Sequence, residues 1–201
     1  SDYKNLILSG TTPKNINGPT TVSGTFTINQ TGPAAVTLAG NITLNGSLTQ
    51  TSGKLTIGAF TLTMNGGYQG DATNSLVGSA ESNLITTGTV GTLYFDQTTP
   101  GTTNVIKNLT LSSGTATIGN SLNITAGSSS GTVIVGTGAS LTTGDFLTLK
   151  SDANGTASVG NSAGTISGNV TVERYIPSKR AWRALTAPVI GSTNNSVFYN
   201  F

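Results

Sequence analysis

The chain has 201 residues, of which 8% are charged and 35% are hydrophobic, and its formal net charge is +2. This composition excludes the low hydrophobicity and high net charge that are typical of intrinsic disorder. The sequence contains no cysteine and no histidine. Disulfides and thiolate metal sites are therefore excluded, and so is the histidine base that usually activates a serine or threonine nucleophile.

The distribution of charge and hydrophobicity excludes two further classes of partner. Four of the nine basic residues lie within residues 174–183, so the sequence lacks the basic stripe that nucleic-acid binding requires. No apolar run approaches the roughly 18 residues of a membrane helix. We therefore expect no nucleic acid as a partner and no membrane span.

Short bursts of alternating apolar residues run along the chain, which is the period-2 signature of strands. Thr, Ser, Asn and Gly fill the positions between them; threonine favours strands, whereas Gly and Asn favour tight turns. No window shows helical periodicity, so the pattern predicts an all-β fold. In chain order the bursts are Leu6-Ile7-Leu8, Phe26/Ile28, Val36/Leu38, Ile42/Leu44, Leu55/Ile57, Leu62/Met64, Leu109/Leu111, Leu122/Ile124, Val133/Val135, Leu147/Leu149 and Val170/Val172.

The spacing of the bursts selects one all-β architecture. Between Ile42 and Leu62 a new burst begins every 6–7 residues, which is too short for a strand and loop of a sandwich of hairpins. The spacing fits a coil with three short sides and Gly or Asn corners. We therefore predict a parallel β-helix, a three-sided β-solenoid with roughly 20 residues per coil, in which parallel strands stack around an apolar centre.

A longer repeat suggests that the solenoid arose by duplication. Three segments return in the same order about 86–90 residues later, which predicts two tandem copies of a roughly 85–90-residue unit. Copy one spans about 3–90 and copy two about 91–176, so that the solenoid occupies 1–176. The matching pairs are Thr11-Thr12-Pro13 with Thr98-Thr99-Pro100, Ser23–Ile28 with Ser113–Ile118, and Leu55–Phe60 with Leu141–Phe146.

The composition changes after Val172, where the only tryptophan and the densest charge occur. We interpret residues 177–201 as the exit from the solenoid and the start of a following module. The segments Val170–Pro177, Arg180–Arg183 and Ala187–Val189 together resemble a segment of large secreted proteins of the Bacteroidota, where it follows Gly/Thr/Asn-rich β-solenoid repeats. The resemblance implies export by the type IX secretion machinery, an extracellular location at the cell surface, and a role in adhesion or gliding.

The acidic residues offer little for catalysis or metal binding. Their closest approach to a cluster is Asp145, Lys150 and Asp152, which a coil of this size would place on adjacent sides. Gly70–Asn74 and Ser151–Asn154 are oxygen-rich, but each contains one carboxylate, whereas calcium prefers several. We interpret these aspartates as caps of turns, and predict no catalytic residue, no metal and no cofactor.

Two other features have a functional and a structural interpretation. Arg180, Trp182 and Arg183 form a candidate binding site that would stack on a sugar ring or anchor a partner protein; alternatively, Trp182 is a core residue of the following module. Alternating threonines would present outward hydroxyls suited to ice binding, although Ser, Asn, Lys and Gly make the array irregular in the sequence. These threonine pairs are Thr25/Thr27, Thr61/Thr63 and Thr115/Thr117.

The leading hypothesis is a non-enzymatic structural or adhesive module of an exported bacterial cell-surface protein. It would act as a stiff stalk or as an extended face that binds surface glycans or other cell-surface proteins through many weak contacts. Two alternatives stay open: a carbohydrate-active parallel β-helix of the polysaccharide lyase or hydrolase type, and an ice-binding solenoid.

Overall fold

The computed structural model describes residues 1–31 and 35–177, and this part of the chain contains only strands and turns. In chain order the strands are β1 (Asp2–Tyr3), β2 (Leu6–Gly10), β3 (Lys14–Ile16), β4 (Thr20–Val22), β5 (Phe26–Gln30), β6 (Val36–Leu38), β7 (Ile42–Leu44), β8 (Leu48–Ser52), β9 (Leu55–Thr56), β10 (Thr61–Met64), β11 (Tyr68–Gln69), β12 (Leu76–Val77), β13 (Asn83–Thr86), β14 (Thr89–Leu93), β15 (Val105–Ile106), β16 (Asn108–Leu111), β17 (Thr115–Ile118), β18 (Leu122–Ile124), β19 (Thr132–Val135), β20 (Ser140–Thr142), β21 (Leu147–Leu149), β22 (Ser158–Val159), β23 (Thr165–Ser167) and β24 (Val170–Val172).

The strands form eight coils of three strands each, from coil 1 (β1–β3) to coil 8 (β22–β24), and the ladders between coils are parallel. Face 1 is one continuous sheet, β1-β4-β7-β10-β13-β16-β19-β22. Face 2 comprises β2, β5, β8 and β11, followed by β14, β17, β20 and β23; face 3 comprises β3, β6, β9 and β12, followed by β15, β18, β21 and β24. The expectation of a three-sided parallel β-solenoid is confirmed.

The coils lengthen along the chain, as the pairing on face 1 shows. In the first half Ile42 pairs with Leu62, which matches the coil size that the sequence spacing predicts. In the second half Asn83 pairs with Asn108, and Thr132 pairs with Ser158, so that each of these coils contains several more residues. The strands keep similar lengths, and the additional residues therefore lie in the corners. Consequently, residues at equal sequence spacing in the two halves do not always lie on the same face.

The core is a single apolar column enclosed by the three faces. Alternation in most of the short strands directs apolar side chains inward, where Phe26, Leu84, Leu109 and Val133 are fully buried. Burying such a side chain contributes about 1.5–3 kcal/mol relative to leaving it in water. Repetition of this contribution in successive coils stabilises a chain that has no disulfides.

The proposed duplication remains a prediction, and the structure shows where its matching segments lie. Ser23–Ile28 and Ser113–Ile118 both lead into face 2, in coils 2 and 6. By contrast, Leu55 belongs to face 3 and Leu141 to face 2, so these two residues are not structurally equivalent. The last strand ends at Val172, and residues 178–201 lie outside the described residues.

Candidate functional site

The predicted Arg180, Trp182 and Arg183 site lies outside the described residues. Candidate sites elsewhere comprise the acidic corners, one buried ion pair and the polar surfaces of the faces. The surfaces extend over many coils, whereas each acidic group is local.

Two of the aspartates cap turns, as the sequence predicted. Asp71 Oδ1 accepts hydrogen bonds from the backbone N–H groups of Thr73 and Asn74, both at 2.7 Å. Asp152 Oδ1 accepts equivalent bonds from Asn154 at 2.7 Å and Gly155 at 3.0 Å. The backbone N–H and side-chain amide of Asn74, with the N–H of Thr73, hold the pKa of Asp71 below its ordinary value. These carboxylates therefore have a structural role within their own corners.

The candidate acidic cluster is also divided among separate contacts. Asp145 lies in the corner after β20 with φ 66°, and its Oδ1 accepts a hydrogen bond from the N–H of Asn169 at 2.7 Å. Lys150 pairs instead with Glu173 of coil 8 at 2.5 Å. Within residues 1–31 and 35–177, no group of three or more Asp, Glu, His or Cys side chains is placed to hold a metal ion.

One ion pair, which sequence reasoning missed, connects coils that are not adjacent. Lys54 Nζ of coil 3 lies 2.6 Å from Asp96 Oδ1 of coil 5, and the Asp96 side chain is 6% exposed. Burial alone would raise the pKa of Asp96, but the charge and hydrogen bond of Lys54 and the hydroxyls of Thr98 and Thr103 outweigh it, so the pKa is lowered. A lysine placed two coil lengths before an aspartate was the available sequence signal.

Asparagine side chains on and beside face 1 form short ladders between coils. Asn65 Nδ2 donates to Asn45 Oδ1 at 2.8 Å, and Thr87 Oγ1 donates to Asn65 Oδ1 at 2.7 Å. Asn108 Nδ2 likewise donates to Asn83 Oδ1 at 2.7 Å. Since these amides bond to each other between coils, they stabilise the stack and are less available to a ligand. The sequence signal for this role was the spacing of Asn45 from Asn65 and of Asn83 from Asn108, which is one coil in each pair.

Face 2 carries two columns of outward hydroxyl groups. Two successive outward positions near the start of each strand give the columns, which run through the paired strands of coils 2–4 and of coils 5–8. In these coils only Gly67 and Gln69 lack a hydroxyl and no side chain is charged. In coil 1 the matching positions are Asn5 and Ile7, so the columns do not extend to it. The first column is Thr25, Ser47, Gly67, Thr89, Thr115, Ser140 and Thr165. The second column is Thr27, Thr49, Gln69, Thr92, Thr117, Thr142 and Ser167.

These columns correct the expectation of one array formed by the three threonine pairs. Thr25/Thr27 and Thr115/Thr117 lie on face 2, but Thr61/Thr63 lies on face 1. The hydroxyls on face 2 are nevertheless more regular than the sequence suggests. The reason is that the longer corners of the second half change the sequence spacing without changing the register of the strands.

No family model matches the chain, and no curated protein or solved structure is significantly similar to it. In the described ranges no helix has the length and hydrophobicity that crossing a membrane requires. The hydroxyl columns on face 2 could form many weak hydrogen bonds with an extended uncharged surface. Asp71, Asp145 and Asp152 instead stabilise corners through hydrogen bonds with the backbone.

Proposed function

We propose that this chain is a non-enzymatic structural and adhesive module of an exported bacterial cell-surface protein. It acts as a stiff stalk whose outer face attaches to glycans or other surface components. The observation that carries the proposal is the pair of uncharged hydroxyl columns along face 2. An extended face of this kind gains its affinity from many simultaneous weak contacts.

The stacking of coils supports the stalk role. Strands in neighbouring coils lie about 4.8 Å apart, so eight coils extend roughly 35–40 Å along the axis. Each coil contacts mainly its neighbours, and the apolar column is continuous between them. A module of this type can be lengthened by adding coils without a change in its cross-section.

The positions of the acidic groups favour adhesion over glycoside chemistry. A hydrolase requires two carboxylates on opposite sides of one bond, within about 10 Å of each other. Here Asp71 and Asp152 cap their own turns, and Asp96 pairs with Lys54. Secretion by the type IX machinery and the cell-surface location rest on the resemblance of Val170–Val189 to Bacteroidota secreted proteins.

We expect the purified chain to be retained on polysaccharide-coated beads without releasing any product. The test incubates it with neutral and acidic polysaccharides, and measures bound protein, reducing sugars and the ultraviolet absorbance of unsaturated products. Released sugar would overturn the non-enzymatic assignment. Absence of retention on every polysaccharide and on immobilised cell-surface protein would overturn the adhesive one.

A further inference from the structure

Six hydroxyl side chains of coils 6–8 form a flat array on face 2, which we call the hydroxyl grid. Thr115, Ser140 and Thr165 are successive partners in the ladder, and so are Thr117, Thr142 and Ser167. The spacing is about 4.8 Å between coils and roughly 6.6 Å along each strand. Because a threonine side chain has few χ1 rotamers, such an array is largely preorganised.

Most of the hydrogen-bonding capacity of the hydroxyl grid is unused within the protein. Thr117, Ser140 and Thr165 make no side-chain hydrogen bond to any described residue. The other three members make only long contacts: the Thr142 and Ser167 hydroxyls are 3.3 Å apart, Ser167 Oγ lies 3.4 Å from the Leu141 carbonyl oxygen, and Thr115 Oγ1 lies 3.5 Å from Thr89 Oγ1. The asparagine ladders beside face 1 contrast with this, because their bonds are 2.7–2.8 Å long. The grid therefore offers donors and acceptors to an external partner.

Because the six side chains of the grid are uncharged, we expect an uncharged partner. The grid has no charged member, and Asp145, in the adjoining corner, accepts a hydrogen bond from the backbone of Asn169. An acidic polysaccharide would find no cation on the grid to offset its desolvation. Hydroxyl groups of a neutral sugar can instead both donate to and accept from threonine and serine.

An exposed aromatic ring borders the grid and favours a sugar over ordered water. Phe146 lies in the corner that follows β20 and is 44% exposed. Tyr94, in the corresponding corner of coil 5, is partly buried against the core. An aromatic face packs favourably on the apolar C–H surface of a sugar ring, whereas an ice surface gains nothing from it.

From these observations we propose that the hydroxyl grid, with Phe146 at its border, binds the surface of an uncharged, insoluble polysaccharide. The proposal rests on the adhesive function and assigns it to one face and one chemical class of ligand. Binding is the sum of weak contacts over several coils, so an ordered polysaccharide surface is retained better than a soluble oligosaccharide. Because no charge takes part, retention does not fall at high ionic strength.

The test measures retention of the full chain on microcrystalline cellulose and chitin, in low and high salt, with two pairs of variants. Thr117→Tyr places a bulky ring within the grid, and Thr110→Tyr places the same ring on face 1 of the same coil. Phe146→Ala removes the border ring, and Ile134→Ala removes a side chain of similar exposure, 37%, from face 1 of the same coil. Circular dichroism establishes that each variant is folded.

We expect Thr117→Tyr and Phe146→Ala to weaken retention by about tenfold, as for residues that contact the ligand directly, and both controls to change it less than about twofold. Equal retention of Thr117→Tyr and Thr110→Tyr would overturn the assignment of the face while leaving adhesion intact. Loss of retention in high salt would overturn the uncharged mode. Inhibition of ice recrystallisation that Thr117→Tyr abolishes, without retention on either polysaccharide, would overturn the class of ligand.

Discussion

Gly46→Ala is expected to lower the free energy of unfolding by about 3 kcal/mol, at the upper end of the range for overpacking. Gly46 lies in the corner between faces 1 and 2, directly over Gly24 of the preceding coil. A Cβ atom on Gly46 would lie 2.2 Å from the Gly24 carbonyl oxygen and 2.5 Å from its carbon. Both are backbone atoms in paired coils, so neither can move aside cheaply. Urea denaturation measures the effect.

Gly67→Ala provides the matched control at the same corner of a later coil. A Cβ atom on Gly67 would meet nothing within 4 Å, so we expect a change of less than about 0.5 kcal/mol, as at an ordinary surface position. Equal stability of the two variants would contradict the close approach of the Gly46 backbone to Gly24 in the preceding coil.

Lys54→Met is expected to destabilise the protein by about 3 kcal/mol at neutral pH, because it leaves a buried carboxylate without its cation. The Asp96 side chain is 6% exposed and has Lys54 as its ion-pair partner. Lys107→Met is the control, because its partner Glu81 has a side chain that is 61% exposed. An exposed pair contributes about 0–1 kcal/mol. Thermal and urea unfolding of both variants provide the comparison.

The pH dependence of the stability of Lys54→Met distinguishes loss of the ion pair from a simple loss of packing. The pKa of Asp96 is lowered in the folded protein, so its contribution is present above the unfolded pKa and is lost as pH falls through the folded one. In Lys54→Met the cation is lost, so the folded pKa of Asp96 is higher than in the wild type. The difference in stability between wild type and variant should therefore shrink as pH falls below about 4. A difference that is independent of pH would contradict the role of the ion pair.

Much of the fold could be predicted because the alternation of apolar residues determines locally which side chains point inward. Phe26/Ile28 and Leu109/Leu111 are buried as the pattern requires. The short spacing of the bursts after Ile42 likewise indicates the size of a coil. A step of 6–7 residues is too short for a hairpin strand with its loop, but it fits one side of a three-sided coil. Both properties depend on short stretches of sequence.

The assignment of residues to faces could not be predicted, because it depends on the lengths of all the preceding corners. The lengthening of the coils moved the second segment of a repeated pair, Leu141, to a different face from Leu55. For the same reason, neither the hydroxyl columns nor the position of Thr61/Thr63 on face 1 could be predicted from the sequence. Lys54 and Asp96 meet where face 3 is interrupted, because Asp96 lies in the long segment between β14 and β15.

The adhesive proposal depends on a stack in which each coil is held mainly by its immediate neighbours. Deleting residues 132–157 removes coil 7 and joins Gly131 to Ser158, which occupies the position of Thr132 in the ladder. Amide hydrogen exchange of this variant should show that β7 and β10, three or more coils away, keep their wild-type protection, because stability in such a stack is set by nearest neighbours. Loss of protection in these strands would show that the fold is stabilised as one closed unit, and would contradict the modular stalk.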